Sequence, residues 1–164
     1  DFADENRRIF VNEILIGMNW KAVDGIVCRP NYIDFDAEPI NALGAPVLRK
    51  GAIRAKAGEP VIIPVNMRDG IILGTGKGNA EWNLSAPHGA GRILKREDVK
   101  AKYTTSQYKK SMEGIYSPSV GAATLDEAPF AYRAIDEIKD AIGETVTITK
   151  IIRPVYNFKA GGED

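Results

Sequence analysis

The feature that most constrains the fold is a short apolar run, Val61-Ile62-Ile63-Pro64-Val65. A turn at Arg68-Asp69-Gly70 follows it, and then a second run, Ile71-Ile72-Leu73. Runs this short, rich in β-branched residues and bounded by turn formers, have the length of buried strands. They put a sheet in the middle of the chain. Other strand-like stretches surround it. Residues 23–35 carry Val23, Ile26, Val27, Tyr32, Ile33 and Phe35, with Pro30 as an interruption that suggests a bulge or an edge. Val47 to Ala55 reads as a hairpin, or as a strand with a bulge at Gly51. Val146 to Tyr156 forms the last strand or pair of strands, kinked at Pro154.

Helical spacing appears in three places. Over residues 4–20, Phe10, Ile14, Leu15 and Met18 recur at three- and four-residue intervals, which predicts a core-packing helix with Asp4 as its N-cap. A second helix is expected over about 93–113. A third runs over 129–142, opened by Asp126, Glu127 and Pro129 and stopped by Gly143. Residues 37–45 read as a loop and Gly161 to Asp164 as a frayed tail. The fold class is α+β: a mixed, strand-rich sheet with three or so flanking helices, in a single domain over 1–164.

Composition narrows the function. Lys and Arg total 22 and Asp and Glu total 22, so no global basic field draws in nucleic acid, and any RNA or nucleotide contact is local. The single cysteine, Cys28, excludes an internal disulfide and a multi-cysteine metal cage. No run reaches membrane-spanning length and no signal-peptide pattern opens the chain, so a cytoplasmic location is expected, with no membrane partner.

Chemistry concentrates at Ser85-Ala86-Pro87-His88-Gly89-Ala90-Gly91-Arg92, which holds the only histidine. Glycines here let backbone approach a ligand, and Arg92 offers a planar fork of donors suited to phosphate. A helix beginning at Ile93 would put an anion-binding N-terminus beside the turn. His88 is then open to three roles, nucleophile, general base or metal ligand. The ordinary reading of the same residues is a buried histidine in a tight turn. Gly74 to Asn79 is a second glycine-rich loop, but its spacing satisfies neither the P-loop nor the dinucleotide pattern. Asp34 and Asp36 read as solvated turn residues or, less readily, a metal or catalytic pair. Arg49, Lys50 and Arg54 read as a solvated rim or a phosphate patch. Tyr103, Tyr108, Lys109 and Lys110 read as an exposed helix face or a single-stranded RNA contact.

These residues also carry a family resemblance. His-Gly-Ala-Gly-Arg at 88–92 resembles the signature of the RtcB family of RNA-splicing ligases. Arg49-Lys50-Gly51-Ala52, the segment from Pro64 to Gly70, Asp126-Glu127-Ala128-Pro129 with Ala131-Tyr132, and Val155 to Lys159 are similar to further family segments, in order, over nearly the whole chain. The resemblance is to the C-terminal part of such a ligase.

The resemblance implies a GTP-dependent enzyme that joins an RNA 3′-phosphate or 2′,3′-cyclic phosphate to a 5′-hydroxyl through a histidine–GMP intermediate. It implies His88 as the nucleophile, and Asn66, Ala90, Gly91, Arg92, Tyr132 and Lys159 around the nucleotide. Arg92 and Arg96 would contact phosphate or RNA. It also implies Mn2+, held in the family by one cysteine and three histidines. Here Pro30 precedes Asn31 where the family has histidine, Lys95 stands for the usual serine, and the remaining metal ligands belong to an N-terminal half that this sequence does not include. No residue of this chain is assigned to the metal. A partner in the form of that missing half, or self-association, is expected. The alternative is a non-catalytic module, descended from such a ligase, that binds a guanine nucleotide or RNA ends.

Overall fold

A computed structural model describes residues 2–35 and 45–159. Asp36, residues 37–44 of the expected loop and the tail from Gly161 lie outside the described residues. The architecture is α+β. Its strands pair antiparallel in three small sheets.

The expected central strands are present and longer than the apolar runs. β4 (Pro60–Asn66) and β5 (Gly70–Gly76) pair across the turn at 67–69, and β7 (Val146–Ile152) pairs on the other edge of β5. Alternate residues Val61, Ile63, Val65 and Ile72 point into the core, as a half-buried sheet requires. The glycine-rich loop expected from Gly74 begins as strand instead. A Cβ on Gly74 would sit 2.4 Å from Val146 Cγ1 and 2.8 Å from the Thr147 carbonyl, so Gly74 permits close strand approach.

Residues 47–55 do not form a hairpin with themselves. β2 (Val47–Arg49) pairs with β1 (Tyr32–Asp34), and β3 (Ala52–Arg54) pairs with β6 (Ser85–Pro87). Gly51, at φ +69°, carries the chain from one sheet to the next. Of the strand expected over 23–35, only β1 forms. Residues 24–31 run without strand pairing, and Val23 and Val27 are exposed.

The helices differ most from expectation. α1 (Phe2–Gly17) forms where its periodicity puts it, yet it buries no residue, and Phe10, Ile14 and Met18 are exposed. Its stripe is a real pattern, but only Leu15 of it is even half-buried, so it is not a core-packing helix here. The 93–113 helix is two: α2 (Arg96–Lys102) and α3 (Thr105–Ser111). The break has a local cause. The Thr104 side chain accepts from the Gln107 N–H at 3.3 Å, and Gln107 Oε1 accepts from the Thr104 N–H at 2.8 Å, a reciprocal cap that starts α3. The last helix, α4 (Ile135–Ala141), begins six residues beyond Pro129. Asp126 and Glu127 end a 3₁₀ turn over Ala122–Glu127, and Pro129–Ala131 forms another.

Two apolar clusters result. The first joins the sheets to α4 through Ile53, Val61, Ile63, Ile72, Ile138 and Val146. The second joins α2 and α3 to the 3₁₀ turns through Met67, Val99, Tyr108, Met112 and Leu125. Tyr132 packs against both.

Candidate functional site

Where the clusters meet there is a cavity of about 680 Å³, within the usual range of small-molecule sites. It is lined by His88, Ala90, Gly91, Arg92, Tyr132 and Lys159, and by Asn66 from the far end of β4. These come from four separate stretches of sequence. The segment after β6 is held against β4 by an Ala90 N–H to Pro64 carbonyl bond of 3.1 Å, and against the residue before β3 by a His88 N–H to Gly51 carbonyl bond of 3.2 Å. Gly91 to Ile93 then bonds to Ala131 to Arg133 in a short antiparallel bridge. That bridge uses the backbone of residues 131–133, so α4 starts only after it.

His88 is exposed, so the reading as a buried turn histidine is overturned. No hydrogen bond from a described residue reaches its imidazole. The ring lies over Gly51, and a Cβ added there would be 3.9 Å from Nε2. His88 and Pro64 also line a second cavity, of about 1260 Å³, between α1, β1 and β3. His88 therefore borders both cavities.

The wall opposite is organised by a residue that the sequence reading did not single out as a site, Glu127. Its carboxylate accepts from Tyr132 Oη at 2.6 Å, Lys159 Nζ at 3.3 Å, and both Arg92 Nη1 and Arg96 Nη2 at 3.4 Å. Burial pushes the Glu127 carboxyl up, but the Tyr132 hydrogen bond and the Lys159 and Arg92 charges outweigh it and hold the group below its ordinary value. Tyr132 moves the other way. Burial first, then the Glu127 hydrogen bond and charge, push its phenol up to about 12. Arg92 sits 5.0 Å over the Tyr132 ring and also donates to the Leu94 and Asp126 carbonyls. The only sequence signal for Glu127 was its place in the Asp-Glu-Ala-Pro segment, where it read as a helix-opening acid.

Arg96 reaches Glu127 from α2 with a largely exposed side chain and does not line the cavity. It is the first residue of α2, so the Gly91 turn does not lead directly into a helix N-terminus. Asn66 lines the cavity, but its side chain caps the 66–69 turn: Oδ1 accepts from the Arg68 and Asp69 N–H groups, and Nδ2 donates to Asp69. The Ala90 N–H is already bonded to Pro64.

Burial overturns the exposed readings of Asp34, Arg49 and Tyr108. Arg49 is buried and bonded to Asp34, so neither residue is a solvated rim or turn group. Arg54 is bonded to Glu59. Tyr108 is fully buried with its hydroxyl on Met67 Sδ, which removes it as a base-stacking surface, and Tyr103 is stacked on Phe130. Among the described residues, no group of three or more His, Cys, Asp or Glu is placed to hold a metal ion. No described helix is long and apolar enough to cross a membrane.

Compared with known proteins, the chain matches the family described as tRNA-splicing ligase RtcB over residues 2–160. It is 31% identical to the RNA-splicing ligase RtcB of Escherichia coli K12 over 138 residues, 84% of this chain and 33% of that protein. It is 35% identical to the tRNA-splicing ligase RtcB of Nanoarchaeum equitans over 134 residues, 69% of this chain and 28% of that protein. The chain thus spans a third or less of the length of these relatives.

Proposed function

Because this chain belongs to the RtcB family of tRNA-splicing ligases, we propose that it carries the nucleotide-transfer part of an RNA ligase, with His88 as the nucleophile. The observation that supports this is the convergence of His88, Arg92, Tyr132 and Lys159, from distant stretches, on one cavity of nucleotide size. In this reading the pocket takes GTP. Arg92 meets its negative charge, Tyr132 and Lys159 lie around the base, and the backbone at Gly91 lies alongside.

The chemistry follows from the exposed imidazole. Neutral His88 attacks the α-phosphorus of GTP. A nitrogen–phosphorus bond forms, the bond to the β-phosphate oxygen breaks, pyrophosphate leaves with the electron pair, and the ring gives up its proton. His88 then passes GMP to the 3′-phosphate of an RNA end, and the 5′-hydroxyl of a second end displaces GMP to complete the join. Attached GMP turns a poor leaving group into a good one, which is the reason for two steps. RNA ends carrying a 3′-phosphate and a 5′-hydroxyl are the substrates, a 2′,3′-cyclic phosphate end entering once water has opened the ring to a 2′-hydroxyl and a 3′-phosphate, and the reading puts the chain in the cytoplasm. The exposed stripe of α1 is surface that a further ligase segment or a second copy would cover.

The family resemblance also implies Mn2+. The described residues do not fit it: His88 is the only histidine, and no three-ligand group is assembled. The test is intact mass after incubation with GTP, with and without Mn2+, for wild type and His88→Ala. A GMP adduct lost in the variant supports the reading. If no adduct forms, even with the remainder of a relative supplied in trans, the nucleophile role is refuted and the chain is a binding module.

A further inference from the structure

The mouth of the cavity carries an aromatic feature with no part in the steps above. Tyr116 and Tyr156 stack with centroids 5.7 Å apart and ring planes 29° apart. Both rings are exposed, at 69% and 55%. Exposed rings are usually mobile, but this pair is built on fixed backbone. Tyr116 and Tyr156 form a parallel bridge, with the Tyr116 N–H on the Val155 carbonyl at 3.1 Å and the Asn157 N–H on the Tyr116 carbonyl at 2.9 Å. Tyr156 and Asn157 line the nucleotide cavity beside Lys159, whereas Tyr116 lies outside it. The pair therefore runs outward from the cavity wall.

We propose that Tyr116 and Tyr156 form a stacking platform for the last unpaired bases of a single-stranded RNA whose terminal phosphate enters the cavity. The platform rests on the reading of the site as an RNA ligase pocket. A phosphate at the end of a strand brings its own nucleoside with it. With GMP filling the pocket, that nucleoside must lie at the rim. An aromatic face there accepts any base, because every base has a π-face, so the contact is tolerant of sequence. Lys159, shared with Glu127, adds a positive charge beside Tyr156 on the cavity wall. The chain has no net charge to hold RNA by field alone, so a local contact of this kind supplies affinity that the composition does not.

The test uses the full 164-residue chain and a short single-stranded RNA with a 3′-phosphate and 2-aminopurine at the last two positions. Binding should quench the 2-aminopurine. Tyr116→Leu should weaken binding about tenfold and relieve the quench, an effect in the range of one base–aromatic contact. Tyr116→Trp should restore both, which a merely structural role would not predict. GMP loading measured by mass should be the same in wild type and Tyr116→Leu. Loss of loading in both, with the quench difference intact, removes the ligase reading and leaves the platform. Equal RNA affinity in wild type and Tyr116→Leu overturns the proposal. So does an absence of RNA binding by the wild type, or a Tyr116-dependent dimer that RNA does not compete away.

Discussion

Removing the Asp34 carboxylate should be among the most damaging single changes in this chain. The Arg49 side chain has no exposed surface and that of Asp34 is 3% exposed, and they meet at 3.1 Å between Nη2 and Oδ2. Arg49 Nη1 also bonds the Asn83 carbonyl at 2.9 Å and the Ser85 hydroxyl, and Tyr32 Oη donates to Asp34 at 3.2 Å. In Asp34→Ala the guanidinium stays charged, buried and uncompensated. That costs about 3–5 kcal/mol. For a domain of this length the melting temperature should fall by roughly 6–20 °C. Urea unfolding followed by the fluorescence of Trp20 and Trp82 reads it directly. Asp34→Leu with Arg49→Met should recover most of the loss, because a buried ion pair is often matched by apolar packing of similar volume. A loss under about 1 kcal/mol in Asp34→Ala would refute the reasoning and show the pair to be hydrated. The pH dependence gives a second check. Burial pushes the Asp34 carboxyl up, but the Arg49 hydrogen bond and charge hold it below its ordinary value. Its contribution is therefore complete above the unfolded carboxylate range near pH 4 and is lost as pH falls through the lower folded value. The gap between wild type and Asp34→Ala should narrow only under acid. The pair also ties β1 and β2 to the residues that enter β6, so His88 should lose its fixed position in the same variant.

Glu127→Gln should lower the Tyr132 phenol from about 12, since the carboxylate helps to raise it, and an alkaline absorbance titration against Tyr132→Phe reads the change. The same variant should need more GTP to reach a given adduct rate, because Arg92 and Lys159 lose their shared partner; unchanged GTP dependence would remove Glu127 from the site. Gly74→Val should destabilise by about 2 kcal/mol or more through overlap with Val146 and the Thr147 carbonyl, measured by urea midpoint. Tyr108→Ala should cost about 3–5 kcal/mol as a core truncation, whereas an RNA-facing tyrosine would cost almost nothing in stability.

The central hairpin was legible because strand length, turn chemistry and burial are local and agree between Val61 and Leu73. The His88 segment was legible because its glycines and arginine form a compact pattern, and Tyr132 and Lys159 came with the same resemblance. What was not legible depends on partners far away in sequence. Nothing near Arg49 indicates that Asp34 lies beside it rather than water. Nothing near Tyr108 separates a core ring from a stacking face, since the same helical spacing serves both. The stripe on α1 was read correctly as periodicity and wrongly as burial, because burial needs a second surface. Glu127 escaped notice because two acids before a proline suit a helix start, whereas its carboxylate meets Tyr132, Lys159, Arg92 and Arg96, which lie elsewhere in the sequence. The break at Thr104 was readable, since Thr-x-x-Gln is a capping signal.

The position of His88 between two cavities bears on the order of events in any transfer through it. A nucleophile at the bottom of a single pocket must release one product before the next reactant can reach it, which gives parallel lines in a two-substrate kinetic plot. A side chain shared by two compartments has no such queue. Under the proposed transfer, one reactant could wait on the α1 side while the other reacts on the Tyr132 side. Intersecting lines would be the kinetic trace of that geometry under the proposed transfer.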